Sequence, residues 1–248
     1  MARIRHLRNA PITEAIVDFR ASLPGDLRPD RLREAKDRLA QRYPEAVERK
    51  GLETRLEIAA GRPTERQTRD LGFLGIWLKT EDQKSIAQFR VDGFTFNRLR
   101  PYTSWEDIFP EAMRLWAIYL EIASPESVTR VALRYINHMP LPSPGGELSG
   151  YIVTGPRWPL SAQEILSSFA TKVVLEYPQR NMKANVIQTL EIGVKPSEPS
   201  LLFDIDVYRS GDLAASPTAL QPIFDELRRY KNEIFFGSLT DRFLEEFE

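Results

Sequence analysis

The chain has 248 residues, of which 42% are hydrophobic and 28% are charged, as in ordinary globular proteins. This composition excludes a chain that is disordered throughout, and no apolar run approaches the roughly 18 residues of a membrane-spanning helix. The formal net charge of −1 excludes a basic surface over the whole chain, and the absence of cysteine excludes disulfides and thiolate metal sites.

The first predicted strand covers residues 15–23, where Ala15, Val17 and Phe19 alternate with Asp18 and Arg20. Alternation with a period of two is typical of a half-buried strand. A helix capped by Asp30 should follow and end at Pro44, because apolar residues recur there at spacings of three and four.

An antiparallel meander is predicted next, with strands at residues 52–60, 71–79 and 85–99 and a solvated loop over 62–70. A packing helix should begin near Asp107, because Pro110 is best tolerated in a first turn. Strand character returns over residues 128–139.

Residues 139–161 contain five prolines and four glycines, which predicts a boundary or a long crossover. The capping-box spacing of Ser161 and Glu164 then predicts a helix over 162–175. Strands are expected at 182–194 and 200–209, and two helical pieces at 218–236 and 239–247, the second capped by Ser238.

The order strand, helix, strands, helix thus occurs once before the proline-rich stretch and again after it. We predict an α+β fold in which antiparallel sheet(s) are covered by long helices, with two topologically similar halves. The first half would be 1–138, the crossover 139–161 and the second half 162–248. The alternative is one barrel-like sheet around a single helix.

Five ordered sequence blocks, spread over almost the whole chain, carry a resemblance to a known family. They are residues 9–15 (NAPITEA), 98–106 (RLRPYTSWE), 130–137 (RVALRYIN), 204–206 (DID) and 231–236 (KNEIFF). In this order they resemble a sporadically distributed family of uncharacterised prokaryotic proteins. The resemblance implies an intracellular protein of accessory or mobile gene clusters, and it carries over no catalytic role.

Asp204 and Asp206 are the first candidate site. The two residues are two positions apart on a strand, so their carboxylates share one face. Carboxylates are hard oxygen ligands that can hold Mg²⁺ or assist hydrolysis. Simple alternation of a solvent face with buried Phe203, Ile205 and Val207 explains the same pattern.

The second candidate joins Arg20, with Glu14 and Asp18 near it, to Arg134 and Asn137. If the two strands are neighbours, this cluster can bind a phosphate or carboxylate through paired hydrogen bonds. The same groups can instead form a cross-strand salt-bridge ladder that needs no ligand.

No metal or cofactor is expected. His6 and His138 are the only histidines, and the sequence has no Walker loop, no Gly-x-Gly-x-x-Gly and no Gly-x-Ser-x-Gly.

Clustered arginines at 3–8 and 62–69, together with nearby aromatics such as Phe94 and Phe96, suggest binding of single-stranded nucleic acid. Acidic residues interleaved with these arginines weaken the positive electrostatic potential, so nucleic-acid binding is the third hypothesis.

Leu239, Phe243 and Phe247 share one stripe of the predicted terminal helix. A short terminal helix is marginal alone, so this stripe should dock on its own chain, on a second copy or on another protein.

The leading functional hypothesis is a cytoplasmic, non-enzymatic binding or adaptor protein, because no familiar catalytic constellation is present. It would act through a groove between its halves or through protein partners of the C-terminal helix. The alternative is an enzyme or sensor for a small phosphorylated or carboxylated ligand bound between the halves.

Overall fold

Nine antiparallel strands form one sheet in the computed structural model of the chain, which describes residues 4–57, 65–141, 148–155, 166, 168–192 and 199–248. The strands are β1 Ile12–Ser22, β2 Glu45–Glu57, β3 Glu65–Lys79, β4 Ser85–Arg90, β5 Gly93–Leu99, β6 Ser127–Pro140, β7 Phe169–Tyr177, β8 Met182–Ile192 and β9 Pro199–Leu213. The α-helices are α1 Glu34–Leu39, α2 Trp105–Ala123, α3 Pro217–Ser238 and α4 Asp241–Leu244. An α+β fold with an antiparallel sheet is therefore confirmed.

The strand order across the sheet is β2-β3-β4-β5-β1-β6-β9-β8-β7. The predicted antiparallel meander is confirmed, since β2, β3, β4 and β5 pair antiparallel in sequence order. Residues 85–99, predicted as one strand, form the two strands β4 and β5. β1 and β6 lie side by side at the centre, and β2 and β7 are the two edge strands. The sheet is therefore open within the described residues, and the barrel alternative is wrong.

Alternation along β1 gives the sheet two different faces. Ala15, Val17 and Phe19 are almost fully buried, and the neighbouring registers place Leu133 beside Val17 and Val207 beside Leu133. We call this side the helix face, because α2 packs on β5 and α3 on β6 and β9. The opposite side, which carries Asp18 and Arg20, is called the polar face.

Aromatic side chains join the helices to the helix face. Phe19 of β1 stacks on Trp116 of α2 with the ring centroids 4.4 Å apart, and it contacts Phe224 of α3 at 5.1 Å. Phe203 of β9 stacks on Phe235 of α3 at 6.0 Å. These contacts fix both helices over the centre of the sheet, where apolar burial contributes most to stability.

The predicted helix over 162–175 is wrong from residue 169 onward, where the chain forms edge strand β7 and pairs with β8 along its whole length. Thr171, Val173 and Val174 are β-branched, which favours a strand when a neighbouring strand supplies hydrogen bonds. The capping pair Ser161 and Glu164 and the loop residue Trp158 lie outside the described residues.

Smaller differences concern loops and caps. The predicted loop over 62–70 is β3 from Glu65 onward, and α1 follows a 3₁₀ turn in which Asp30 caps nothing. α2 begins two residues early because Ser104, accepting a hydrogen bond from the Asp107 amide, is its cap. α4 is capped by Thr240 instead of Ser238. In the described part of the chain, no helix has the length and apolarity needed to cross a membrane.

Candidate functional site

The structure separates the predicted ligand cluster between the two faces of the sheet. Arg20, Arg134, Asp204 and Asp206 lie on the polar face, whereas Asn137 lies on the helix face. Successive residues of a strand alternate between faces, so positions 134 and 137 cannot share one. Asn137 instead donates to the backbone carbonyl of Phe203 at 2.9 Å.

Arg134 and Asp204 form a bidentate pair across β6 and β9. Arg134 Nε lies 2.9 Å from one Asp204 oxygen and its Nη2 lies 2.6 Å from the other. This hydrogen bond and the charge of Asp204 raise the pKa of Arg134, in spite of partial burial. Both Asp204 oxygens are therefore already committed to a guanidinium group.

Asp18 is the centre of the polar-face network. One of its oxygens accepts from the Thr95 hydroxyl at 2.7 Å and from Arg90 at 3.1 Å, and the other accepts from Arg130 at 3.1 Å. Asp18 itself is only 8% exposed. A carboxylate this buried needs such partners, since desolvation would otherwise oppose its charge.

Arg130 continues the network to the next strand. It contacts both oxygens of Asp206, at 2.9 and 2.8 Å, and Asn185 donates to the same carboxylate at 3.1 Å. Arg20 pairs with Asp18 at 3.4 Å and with Asp92. Arg20 and Asp206 thus belong to a cross-strand ion-pair network around Asp18, and Arg134 and Asp204 form a separate ion pair on the same face. No group of three metal-ligating side chains occurs within the described residues.

The C-terminal stripe docks on its own chain. Leu239, Phe243 and Phe247 are at most 9% exposed, and Phe243 packs edge-on against Tyr151 with centroids 5.2 Å apart. The amide of Asn9 also donates to the carbonyl of Phe247 at 2.9 Å. These three side chains are therefore unavailable to a partner in this conformation.

The aromatics considered for nucleic-acid stacking are also largely enclosed. Phe94 and Phe96 are at most 2% exposed, and Trp105 is 6% exposed. Arg5 from the N-terminal arginine group pairs with Asp241 and Glu248 at 2.6 Å each. The side chains of Arg62 and Arg66 lie outside the described residues.

A separate pocket lies on the helix face, between β6, the second half of α3, the N-terminal segment and the link from β5 to α2. Its volume is about 120 Å³. The lining consists of apolar, amide, tyrosine and cationic side chains, and the described residues that form it include no Asp or Glu. They are Arg5, His6, Leu7, Ala10, Pro11, Ile12, Tyr102, Tyr135, Asn137, Arg228, Lys231, Asn232, Phe235 and Phe236.

Lys231 is the most unusual of these side chains. It is half-buried, its Nζ lies 4.1 Å from the centroid of the Tyr135 ring, and no carboxylate pairs with it among the described residues. Burial lowers the pKa of Lys231 to about 7, and repulsion from Arg228 acts in the same direction. A large fraction of this amine is therefore uncharged at neutral pH.

Two tyrosines and an arginine lie beside Lys231. Burial raises the pKa values of Tyr102 and Tyr135, whose rings pack edge-on with their centroids 5.8 Å apart. Arg228 makes one hydrogen bond to Glu106 at 3.1 Å and lies 5.4 Å from the Trp105 ring. Most N–H groups of the Arg228 fork are thus left for other acceptors.

Sequence reasoning missed Lys231 as a site residue, although a signal was present. The buried stripe of α3 runs through Leu220, Phe224, Leu227 and Ile234, and Lys231 occupies the position between the last two. A lysine within a buried helical stripe is rarely there for packing alone. Four of the five sequence blocks noted above also contribute to this pocket; only residues 204–206 lie elsewhere.

No protein-family model and no curated protein matches this chain.

Proposed function

We propose that this chain is a binding protein for a small anionic ligand, which it holds in the Lys231 pocket. The observation that carries the proposal is the lysine amine itself, which points into a pocket with no acidic lining and has no carboxylate partner among the described residues. Placing a cation there without a counter-ion is unfavourable, and a bound anion would remove that cost.

The size and lining of the pocket support a short ligand. A cavity of about 120 Å³ exceeds the roughly 30 Å³ of one water molecule and is smaller than sites for drug-sized ligands, which begin near 300 Å³. Phe235 and Phe236 supply apolar walls, while Arg228 and Asn232 supply donors. This combination suits a carboxylate or phosphate on a small carbon skeleton.

The test is thermal unfolding and calorimetric titration near pH 6 with acetate and with inorganic phosphate. A ligand at about 100 times its Kd stabilises a protein by about 2.7 kcal/mol, which for this length raises Tm by several degrees. We expect at least one of the two anions to produce this shift. Lys231→Met should abolish it.

Lys183→Met is the matched control, because it also removes one positive charge but at an exposed position paired with Glu176. It should respond to the anions like the wild type. If neither anion raises Tm, or if Lys231→Met responds as strongly as Lys183→Met, the proposed pocket function is wrong.

The strand order supports a further part of this proposal, namely that the sheet is built from two similar halves. β1 pairs with β5, the last strand before α2, and β6 pairs with β9, the last strand before α3. Under this proposal β6 takes the place in the second half that β1 has in the first. The halves would then meet at the β1–β6 pair, beside which the pocket lies.

Edge strand β7 supports a second candidate function, protein association through pairing with a second copy of this chain. Val173, Val174 and Leu175 are 48%, 54% and 36% exposed, and β7 pairs only with β8 in the described sheet. Antiparallel self-pairing centred on Val174 would bring Lys172 opposite Glu176 of the other copy. Light scattering should then show a dimer that Val174→Lys converts to a monomer, and a monomeric wild type at high concentration would contradict this.

A further inference from the structure

Lys231 combines three features that a Schiff-base lysine requires: an accessible cavity, a partly apolar surrounding and a neighbouring cation. The cavity contains the amine, the Tyr135 ring covers it at 4.1 Å, and Arg228 precedes it by one helical turn. Desolvation and a nearby positive charge are the two ways in which proteins activate a lysine amine as a nucleophile. Resting on the proposed anion-binding function, we propose that Lys231 forms an imine with the carbonyl of a short 2-oxo acid.

The spacing of Lys231 and Arg228 suits that substrate class. Side chains three residues apart on a helix lie next to each other, with about 5–6 Å between their Cβ atoms. In a 2-oxo acid the carbonyl carbon is bonded directly to the carboxylate. The Arg228 guanidinium can therefore hold the carboxylate while the Lys231 amine reaches the adjacent carbon.

The proposed step is balanced without any further reagent. The uncharged amine adds to the carbonyl carbon, and its proton moves to the carbonyl oxygen to give a carbinolamine. Loss of that hydroxyl with a second nitrogen-bound proton releases water and leaves a C=N bond. Tyr102 and Tyr135 line the same pocket, and their hydroxyls can pass these protons.

The test is reductive trapping of the intact full-length chain with glyoxylate and sodium cyanoborohydride. The modified lysines are then identified by peptide mass mapping. We expect Lys231 to be modified at least about tenfold faster than the exposed Lys183 of the same molecule. Propanal, which has a carbonyl but no carboxylate, should show a smaller preference for Lys231 than glyoxylate does. Arg228→Met should slow glyoxylate trapping at Lys231 more than propanal trapping, because only glyoxylate has a carboxylate for Arg228 to hold.

The pH profile provides a second readout. Trapping at Lys231 should rise to half its maximum near pH 7, whereas trapping at Lys183 should keep rising well above that. The titratable and charged groups that face Lys231 are Arg228 on its own helix, Tyr135 on β6, Tyr102 before α2, and Arg5 and His6 in the N-terminal segment. A His6→Gln variant separates the contribution of that histidine, and the Lys231 profile should survive it.

The outcomes separate this inference from the function on which it rests. If acetate binds at the pocket but Lys231 is trapped no faster than Lys183, the imine is wrong and the anion site stands. If neither acetate nor phosphate binds and glyoxylate shows no preference for Lys231, both proposals are wrong. Lys231→Arg keeps the positive charge and should retain acetate binding while losing glyoxylate trapping at position 231.

Discussion

The polar face and the Lys231 pocket lie on opposite sides of β6 and differ in whether their charged groups are paired. On the polar face, Asp18, Asp204 and Asp206 each accept hydrogen bonds from arginines at 2.6 to 3.1 Å. In the pocket, Lys231 faces a tyrosine ring and another cation instead. Internally paired charges are explained by the fold itself, whereas an unpaired buried amine indicates a missing partner.

The largest effect should come from removing the centre of the paired network. Asp18→Ala leaves Arg90 and Arg130 without their buried acceptor, and we expect unfolding in urea to show a loss of about 3 kcal/mol. Asp18→Asn retains hydrogen-bond acceptance and should lose less. Equal losses in the two variants would contradict a contribution from hydrogen-bond acceptance and assign the whole effect to the charge of Asp18.

A stability change of the opposite sign is expected at the unpaired site. The pKa of Lys231 is about 7 in the folded chain and about 10.5 when unfolded, so the unfolded state binds more protons between these values. Stability therefore rises with pH across that window, and the burial penalty is fully present below it. Lys231→Met should raise stability by about 2 kcal/mol near pH 6.

That gain should shrink as the pH approaches 10, because the folded amine is then uncharged and the unfolded amine begins to lose its proton. Urea unfolding of the two proteins at about pH 6, 8 and 10 measures the trend. A Lys231→Met variant that is less stable than the wild type at every pH would show that Lys231 is a structural residue. Lys183→Met is the control and should show no such pH dependence.

A third test concerns Glu111 of α2, another paired acid, which accepts hydrogen bonds from Tyr43 at 2.7 Å and Arg114 at 2.9 Å. Burial raises the pKa of Glu111, but these bonds outweigh it, so the net pKa is lowered. This stabilisation is present above about pH 4.5 and is lost as the pH falls through the lower folded value. Glu111→Gln should cost about 1.5 kcal/mol at neutral pH and less in acid.

The smallest effect is expected for the pair at the rim of the polar face. The Arg134 side chain is 45% exposed, so solvent screens its interaction with Asp204. Arg134→Ala should cost about 1 kcal/mol and leave anion binding at the pocket unchanged. Loss of acetate binding in this variant would show that the polar face, and not the pocket, holds the ligand.

The sequence predicted the strands well because their burial alternates locally. β1 and β9 were found from alternating apolar and polar residues, and the register and burial confirm the buried side predicted for each. The predicted helix over 162–175 was wrong because the apolar residues of β7 fit the helical spacing of three and four as well as the strand spacing of two. Pairing with β8, a contact between different segments, decided between them.

The candidate site was predicted only in part. Asp204 and Asp206 were expected to share a face, and both lie on the polar face, because their positions follow from strand alternation. Asn137 was grouped with Arg134 by closeness in sequence, although an odd spacing along a strand places it on the other side. The pocket was not predicted because it needs β6, α3 and the N-terminal segment together, which no local pattern shows.

The most direct test of the unpaired amine is a site-specific NMR titration of Lys231, with and without acetate. The account predicts a pKa near 7 for the free protein and a clear rise when the carboxylate is added, because an anion favours the charged form. An ordinary lysine value near 10.5 that acetate leaves unchanged would contradict the account.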